Sequence, residues 1–293
     1  MNDMNHDHED IEEFEAHFSF EFFPPKTDAG FAKLADVRDR LAAQGPEFFS
    51  VTYGAGGSTR ERTFNAVKMV RESGVDTAPH LSCVGHTRAE LREIIDGYKA
   101  GGVTRIIALR GDLPSGMGPT GGELPYARDL VEFIRKEYGN HFSIEVAAYP
   151  EMHPQAANLD ADIANFVAKV KAGANSAITQ YFFNPDSYFH FVDRVQDEGI
   201  TIPIVPGIMP ITNVANLIRF SDGCGAEVPR WLRKQLEVYA DDEESVRLFG
   251  IDVVSALCET LVSAGAPGLH FYTMNQAEPT LSILRNLGVP VVD

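Results

Sequence analysis

Phe18-Ser19-Phe20-Glu21-Phe22-Phe23-Pro24-Pro25 reads as a strand rich in aromatic side chains that carries one carboxylate and ends in two prolines. Aromatic residues favour strands, and proline cannot donate to a ladder, so the strand stops where the prolines begin. Seven further apolar or β-rich runs follow, at 48–53, 78–83, 105–109, 144–149, 177–182, 202–206 and 269–273. Between them lie helix-like segments at 29–43, 60–73, 89–100, 126–138, 161–172 and 186–198. The early strands start about 30 residues apart, the length of one strand-helix unit. Eight such units predict a (β/α)8 barrel, an α/β fold.

Punctuation between the runs supports these boundaries. Thr87 with Glu90 has the spacing of a capping box, and Asn158 and Asp160 stand where a helix should begin. Gly101-Gly102, Gly173 and Gly199 come where helices should stop. Residues 213–265 depart from the regular spacing and hold at least two helical stretches before the last strand. A doubly wound open sheet uses the same alternation and is the rival architecture. Eight strands within 17–293, with the acidic residues 1–16 read as a solvated tail, favour closure into one barrel.

Composition narrows the function. With 44% hydrophobic and 23% charged residues among 293, the chain is ordinary for a globular protein with a sizeable core. A net charge of -17 disfavours nucleic acid and anionic membranes as partners. Any anionic ligand must be held by local cations or backbone donors. Cys83, Cys224 and Cys258 form no metal-ligand spacing and fit a reducing, cytoplasmic compartment, where each is a small core residue. His6 and His8, among acids, could form a weak metal site, although a solvated tail is the favoured reading, and His86, His141, His190 and His270 have no partner spacing that predicts a metal. The N-terminus lacks the pattern of a signal peptide, and no apolar run reaches the length of a membrane span.

Barrel enzymes place their chemistry at the C-terminal ends of the strands. Here those ends carry Glu21, Thr52-Tyr53, His80, Arg110-Gly111-Asp112, Tyr149 and Thr179-Gln180. A carboxylate among aromatic side chains costs free energy unless it is paired or neutral, so Glu21 reads as a general acid with a raised pKa. The competing reading turns Glu21 outward into water. Gly111 would let backbone approach a ligand, Arg110 would bind a phosphate, and Asp112 would steady positive charge. An Arg-Asp pair ordering a surface loop is the alternative. Gly54-Ala55-Gly56-Gly57-Ser58-Thr59 has the composition of an anion-binding nest, or of a flexible loop. Gly116 to Gly121 matches GxGxxG but contains Pro119 and lies well past its strand, so it is a loop and not a dinucleotide fingerprint. Tyr149 and His153, set among Pro150 and Pro154, would face a planar ligand, and Lys169 would offer charge to a phosphate. No GxSxG or comparable nucleophile context is present. The residues alone stop at a cofactor-dependent or acid-catalysed barrel enzyme.

Taken in order, several motifs resemble the methylenetetrahydrofolate reductase family of the bacterial, single-domain type. They are Ser19 to Pro25, Ser50-Val51-Thr52-Tyr53-Gly54-Ala55, Ala78-Pro79-His80-Leu81, Ala108 to Pro114, Ala147 to Glu151, Ala177 to Phe183 and Phe271-Tyr272-Thr273-Met274-Asn275. The resemblance implies non-covalent FAD and ping-pong hydride transfer. NADH or NADPH would reduce the flavin, which then reduces 5,10-methylenetetrahydrofolate to 5-methyltetrahydrofolate. It also implies a homo-oligomer, with a tetramer as the form suggested. By resemblance Glu21 is the acid that opens the folate's five-membered ring, and Asp112 lies beside both flavin and pterin. Thr52, Gln180, Asn216, Phe220 and Gln276 fall at folate positions. Tyr53, Ala55, His80, Arg110, Gly111, Asp112, Ala127, Tyr149, His153, Ala156, Asp162, Asn165 and Lys169 fall at FAD positions. Gln276 stands where the family has an arginine, Ala168 where it has a basic residue, and Asn216 where a glutamine is frequent. These departures bear on folate affinity, nicotinamide choice and direction. The alternatives are physiological oxidation of 5-methyltetrahydrofolate and a non-catalytic folate- or flavin-binding barrel.

Overall fold

The computed structural model describes residues 17–53, 57–111 and 122–292, with the side chains of 57–60 left aside. The expected tail at 1–16, the glycine-rich stretch 54–56 with Ala55, and residues 112–121 with Asp112 and the GxGxxG match lie outside the described residues. The strands are β1 (Phe18–Phe22), β2 (Phe48–Val51), β3 (Asp76–Ser82), β4 (Arg105–Leu109), β5 (Ser143–Ala148), β6 (Ser176–Thr179), β7 (Ile204–Val205), β8 (Gly207–Ile208) and β9 (Leu269–Tyr272). Helices α1 (Asp28–Ala42), α2 (Gly57–Arg71), α3 (Arg88–Ala100), α4 (Ala127–Tyr138), α5 (Leu159–Lys171) and α6 (Pro185–Asp197) alternate with the first strands. Then come α7 (Val214–Cys224), α8 (Arg230–Val238), α9 (Glu243–Ser263) and, after β9, α10 (Glu278–Asn286).

All the strand pairs are parallel, in the order β7-β6-β5-β4-β3-β2-β1-β9-β8. The two ends of that order are adjacent pieces of one stave, separated by Pro206. β7 pairs with β6 and β8 pairs with β9, so the sheet closes and the open-sheet rival falls. The expected strand at 202–206 is therefore shifted and split. Proline has no N–H to donate, but the Pro206 carbonyl still accepts from His270 N at 3.0 Å. The fold is an eight-staved (β/α) barrel.

Period-two alternation sorts the strand side chains. Phe20, Phe22, Phe49, Val51, Ile106 and Val146 are fully buried in the large core between sheet and helices. Their neighbours Phe48, Ala78, Ile107 and Ile178 form a separate cluster inside the barrel. Helices meet the sheet by one face, as Leu91, Ile94, Ile95 and Tyr98 of α3 and Leu130, Val131, Phe133 and Ile134 of α4 show. The expected capping box is present at Thr87 and Glu90, and Asn158 caps α5. Among the described residues, no helix is long and apolar enough to cross a membrane.

The N-terminal end of the barrel is closed by charge. Arg105 lies 2.8 Å from Glu145 and 2.7 Å from Glu47, with its guanidinium 4.3 Å from the centre of the Phe48 ring. Burial raises the Glu145 carboxyl against the lowering effect of Arg105. The other end is open, and Glu21, Thr52, His80, Tyr149 and Gln180 face it.

Candidate active site

A cavity of about 420 Å³ opens at the C-terminal ends of the strands, lined by Glu21, Thr52, His80, Tyr149, Gln180 and Phe220 together with residues the sequence reading passed over. A strand points alternate residues inward, so Glu21, His80, His270 and Tyr272 reach it from within β1, β3 and β9, while Thr52, Tyr149 and Gln180 follow directly on β2, β5 and β6. Apolar Ile107, Leu109, Ala147 and Ile178 form its walls. Phe220 and Cys224 are contributed by α7, in the region of irregular spacing.

Glu21 lies at the centre of this site, pointing inward, with its side chain 17% exposed. His80 Nε2 is 3.2 Å and His270 Nε2 3.7 Å from Glu21 Oε2. The His80 nitrogen is buried and has no aligned hydrogen-bond partner. His270 is fully buried, and its Nδ1 lies 2.7 Å from the Ser19 hydroxyl. With the His270 proton on Nε2, toward the carboxylate, Nδ1 accepts from Ser19. The assembly follows from strand register: Ser19 pairs with His270, and Glu21 with Tyr272.

The expected raised pKa at Glu21 is overturned by these neighbours. Burial does push the carboxyl up, but the two imidazoles facing it, His270 and His80, outweigh it and hold Glu21 at about 2. His270 responds the other way, since burial lowers it despite the adjacent carboxylate. Two imidazoles converge on one carboxylate oxygen, so the carboxylate is the member whose charge is favoured. The Tyr272 phenol, pushed up first by burial and then by the charge of Glu21, stays neutral and donates to Thr179 O at 2.6 Å.

The other predicted residues fall into groups. Tyr53 is 3.1 Å from His86 through its hydroxyl, at the rim between β2 and β3. Arg110 donates to Gln155 at 2.6 Å, joining the ends of β4 and β5. Gly111 has φ 88°, and a β-carbon there would meet Ser82 Oγ at 1.8 Å, so the packing of the chain itself requires glycine. Beyond β5, the His153 ring meets Tyr149 edge-on at 4.5 Å, the His153 backbone N–H donates to Asp162 at 2.9 Å, and the ring Nδ1 accepts from the Gln155 N–H at 3.0 Å. Lys169 donates to the Ala147 carbonyl, and burial lowers its amine to about 8 against the charge of Asp162. Asn165 is exposed on α5, Ala156 half-buried before it, and Ala127 half-buried at the start of α4. Asn216 and Gln276 are exposed, and neither lines the cavity.

Sequence reading missed His270, Tyr272, Met209, Cys224 and Met274 as cavity residues. Histidine spacing bears on metal binding alone and does not single out His270 as a cavity residue. The usable signal was the two-residue step from His270 to Tyr272, which matches the step from Ser19 to Glu21 on the neighbouring strand.

The family model for methylenetetrahydrofolate reductase matches residues 6–288. The 5,10-methylenetetrahydrofolate reductases of Salmonella typhimurium and Escherichia coli are each 43% identical over 272 residues, covering 92% of this chain and 90% of the relative. A Zea mays relative named methylenetetrahydrofolate reductase (NADH) 1 is 39% identical over 285 residues, but this chain spans only 48% of it. Among solved structures, a Clostridium thermocellum protein described as binding two copies of 5-methyl-5,6,7,8-tetrahydrofolic acid superposes with a TM-score of 0.68. It is 14% identical, over 93% of this chain and 96% of its own, and that likeness speaks for the fold. The extent of the family match and the bacterial identities assign the sequence: this chain belongs to the methylenetetrahydrofolate reductase family.

Proposed function

We propose that the chain interconverts 5,10-methylenetetrahydrofolate and 5-methyltetrahydrofolate by ping-pong hydride transfer, with FAD bound in the barrel mouth and NADH or NADPH as donor. The observation that carries the reading is the inward carboxylate of Glu21, set against two imidazoles at one cavity oxygen. Opening the folate's five-membered ring breaks a carbon–nitrogen bond, and the departing nitrogen must take a proton. Glu21 and its imidazoles are the groups able to hold that proton where the ring would sit.

The donor set suits FAD. Arg110 and Lys169 are cations beside the ends of β4 and β5, where a pyrophosphate needs them, and His153 and Asn165 add polar contacts. Among the described residues, the acceptor of the Lys169 amine is the Ala147 backbone carbonyl, and Asp162 lends charge. The apolar wall of Ile107, Leu109 and Ala147, with Tyr149 beside it, suits a flat ring. When bound, FAD would accept hydride from the nicotinamide and pass it to the folate carbon. By family resemblance, Asp112 is assigned a role toward both rings.

In the ligand-free protein the carboxylate is charged. A ligand covering Glu21 removes the water that still reaches it, which raises the carboxyl and favours taking a proton from the imidazole side. Thr52 and Gln180, from the ends of β2 and β6, would hydrogen-bond the ligand, and Phe220 would cover it.

The test is the visible spectrum of the purified protein supplied with FAD, followed anaerobically by NADH, NADPH and 5-methyltetrahydrofolate in separate additions, with 5,10-methylenetetrahydrofolate added to the reduced sample. A bound flavin bleached by a nicotinamide and reoxidised by 5,10-methylenetetrahydrofolate is expected; NADH is tried first because the plant relatives are named for it. Bleaching by 5-methyltetrahydrofolate with little response to either nicotinamide would assign the oxidative direction. A protein that binds no FAD would overturn the reading.

A further inference from the structure

β9 leaves the sheet at Tyr272, the partner of Glu21, while β1 runs on. In a parallel ladder alternate residues face the same neighbour, so the backbone groups of Glu21 and Phe23 both turn toward β9. Beyond Tyr272 no strand residue meets them. Two side chains do. Thr273 Oγ1 donates to the Glu21 carbonyl at 2.6 Å. The Asn275 carboxamide brackets Phe23, accepting from its N–H at 3.0 Å and donating to its carbonyl at 2.9 Å. The Asn275 N–H closes the arrangement by donating to Thr273 Oγ1 at 3.1 Å.

The turn that makes this possible is strained. Met274 and Asn275 have φ of 52° and 55°, in the left-handed region. That region costs a side-chain-bearing residue on the order of 1 kcal/mol or more, and asparagine tolerates it better than methionine. Strain in consecutive residues persists where the surroundings enforce it. Here the enforced result is that Met274 lines the cavity while the residues on either side of it bind the β1 backbone around Glu21.

We propose that Asn275, acting with Thr273, is a positioning residue for Glu21: its carboxamide replaces the missing ladder residue of β9 and fixes the end of β1, holding the Glu21 carboxyl against the two imidazoles. Asn275 does not enter the cavity lining, so its action is through the backbone. What it predicts for turnover rests on the function proposed above; what it predicts for the ligand-free protein does not.

Asn275→Gly is the first variant, because glycine adopts the left-handed backbone freely and only the carboxamide is lost. Thr273→Val removes the hydroxyl at constant shape, and Thr273→Ser restores it. In single-turnover assays of the FAD-loaded protein, Asn275→Gly and Thr273→Val should slow the folate half-reaction about 10²-fold, the usual cost of a group misplaced by about 1 Å. Flavin reduction by the nicotinamide and the melting temperature should stay near wild type, and Thr273→Ser should recover the folate step. In the ligand-free protein, the imidazole ¹⁵N signals of His80 and His270 should move in Asn275→Gly and not in Thr273→Ser. Unmoved imidazole signals in Asn275→Gly would overturn the proposal, as would equal loss of both half-reactions with a fall in melting temperature. Wild-type protein lacking both half-reactions would defeat the FAD reading, and the imidazole signals would still decide the role of Asn275.

Discussion

Glu21→Gln tests the electrostatics of the site without reference to any ligand. Glu21 has a folded-state pKa of about 2 against an ordinary value of 4.5. A group with a depressed folded pKa contributes stability that is present above the unfolded value and is lost as pH falls toward the folded one. Each tenfold change in proton affinity is worth about 1.4 kcal/mol, so the fall from 4.5 to about 2 corresponds to about 3 kcal/mol at pH 7. The same relation leaves about 1 kcal/mol near pH 3. The side chain is 17% exposed, so solvent screening takes little from this figure. The assay is urea unfolding of wild type and Glu21→Gln from pH 7 down to pH 3, read by circular dichroism. Replacing the carboxylate also changes packing and hydrogen bonds, and these contributions are common to every pH. The informative quantity is therefore the narrowing of the stability gap by about 2 kcal/mol between neutral and acid. A gap that stays constant, or widens as pH falls, would refute the placement of the two imidazoles against Glu21.

Three other perturbations separate the parts of the molecule. Glu21→Gln in the FAD-loaded protein should abolish folate turnover and spare flavin reduction by the nicotinamide, and stopped-flow measurement of each half-reaction decides it; equal loss of both would remove Glu21 as the folate acid. Lys169→Met should weaken FAD by roughly tenfold or more, the worth of one hydrogen bond from a charged donor, and fluorescence titration showing unchanged affinity would place the pyrophosphate elsewhere. Arg105→Met leaves Glu145 buried and unpaired at the closed end of the barrel, and should cost about 3 kcal/mol. Adding Glu145→Gln should recover part of that loss, and a denaturant midpoint insensitive to Arg105→Met would show that the network contributes little.

The departures at Gln276, Asn216 and Ala168 acquire different weights in three dimensions. Gln276 and Asn216 are exposed and off the cavity lining, so their effect on a folate would be exerted at its periphery. Ala168 precedes Lys169 on α5, where the half-buried lysine amine is already held by Ala147. A charge lost at 168 therefore leaves the buried cation in place.

The alternation of strands and helices is legible in the residues alone, because period-two and period-3.6 patterns are local and helix caps such as Thr87 and Asn158 announce their own positions. Glu21, His80, Tyr149 and Gln180 are likewise legible at strand ends, since barrel topology converts a strand end into a rim position. Tertiary structure decided what no local pattern encodes. Closure depended on the two pieces of one stave around Pro206 reaching neighbours far apart in the chain. The protonation of Glu21 was misjudged from its flanking aromatic residues because those side chains point to the opposite face of the sheet, while its actual neighbours, His80 and His270, come from other strands. Electrostatic energy depends on distance through space, and 249 positions of sequence separate Glu21 from an imidazole 3.7 Å away.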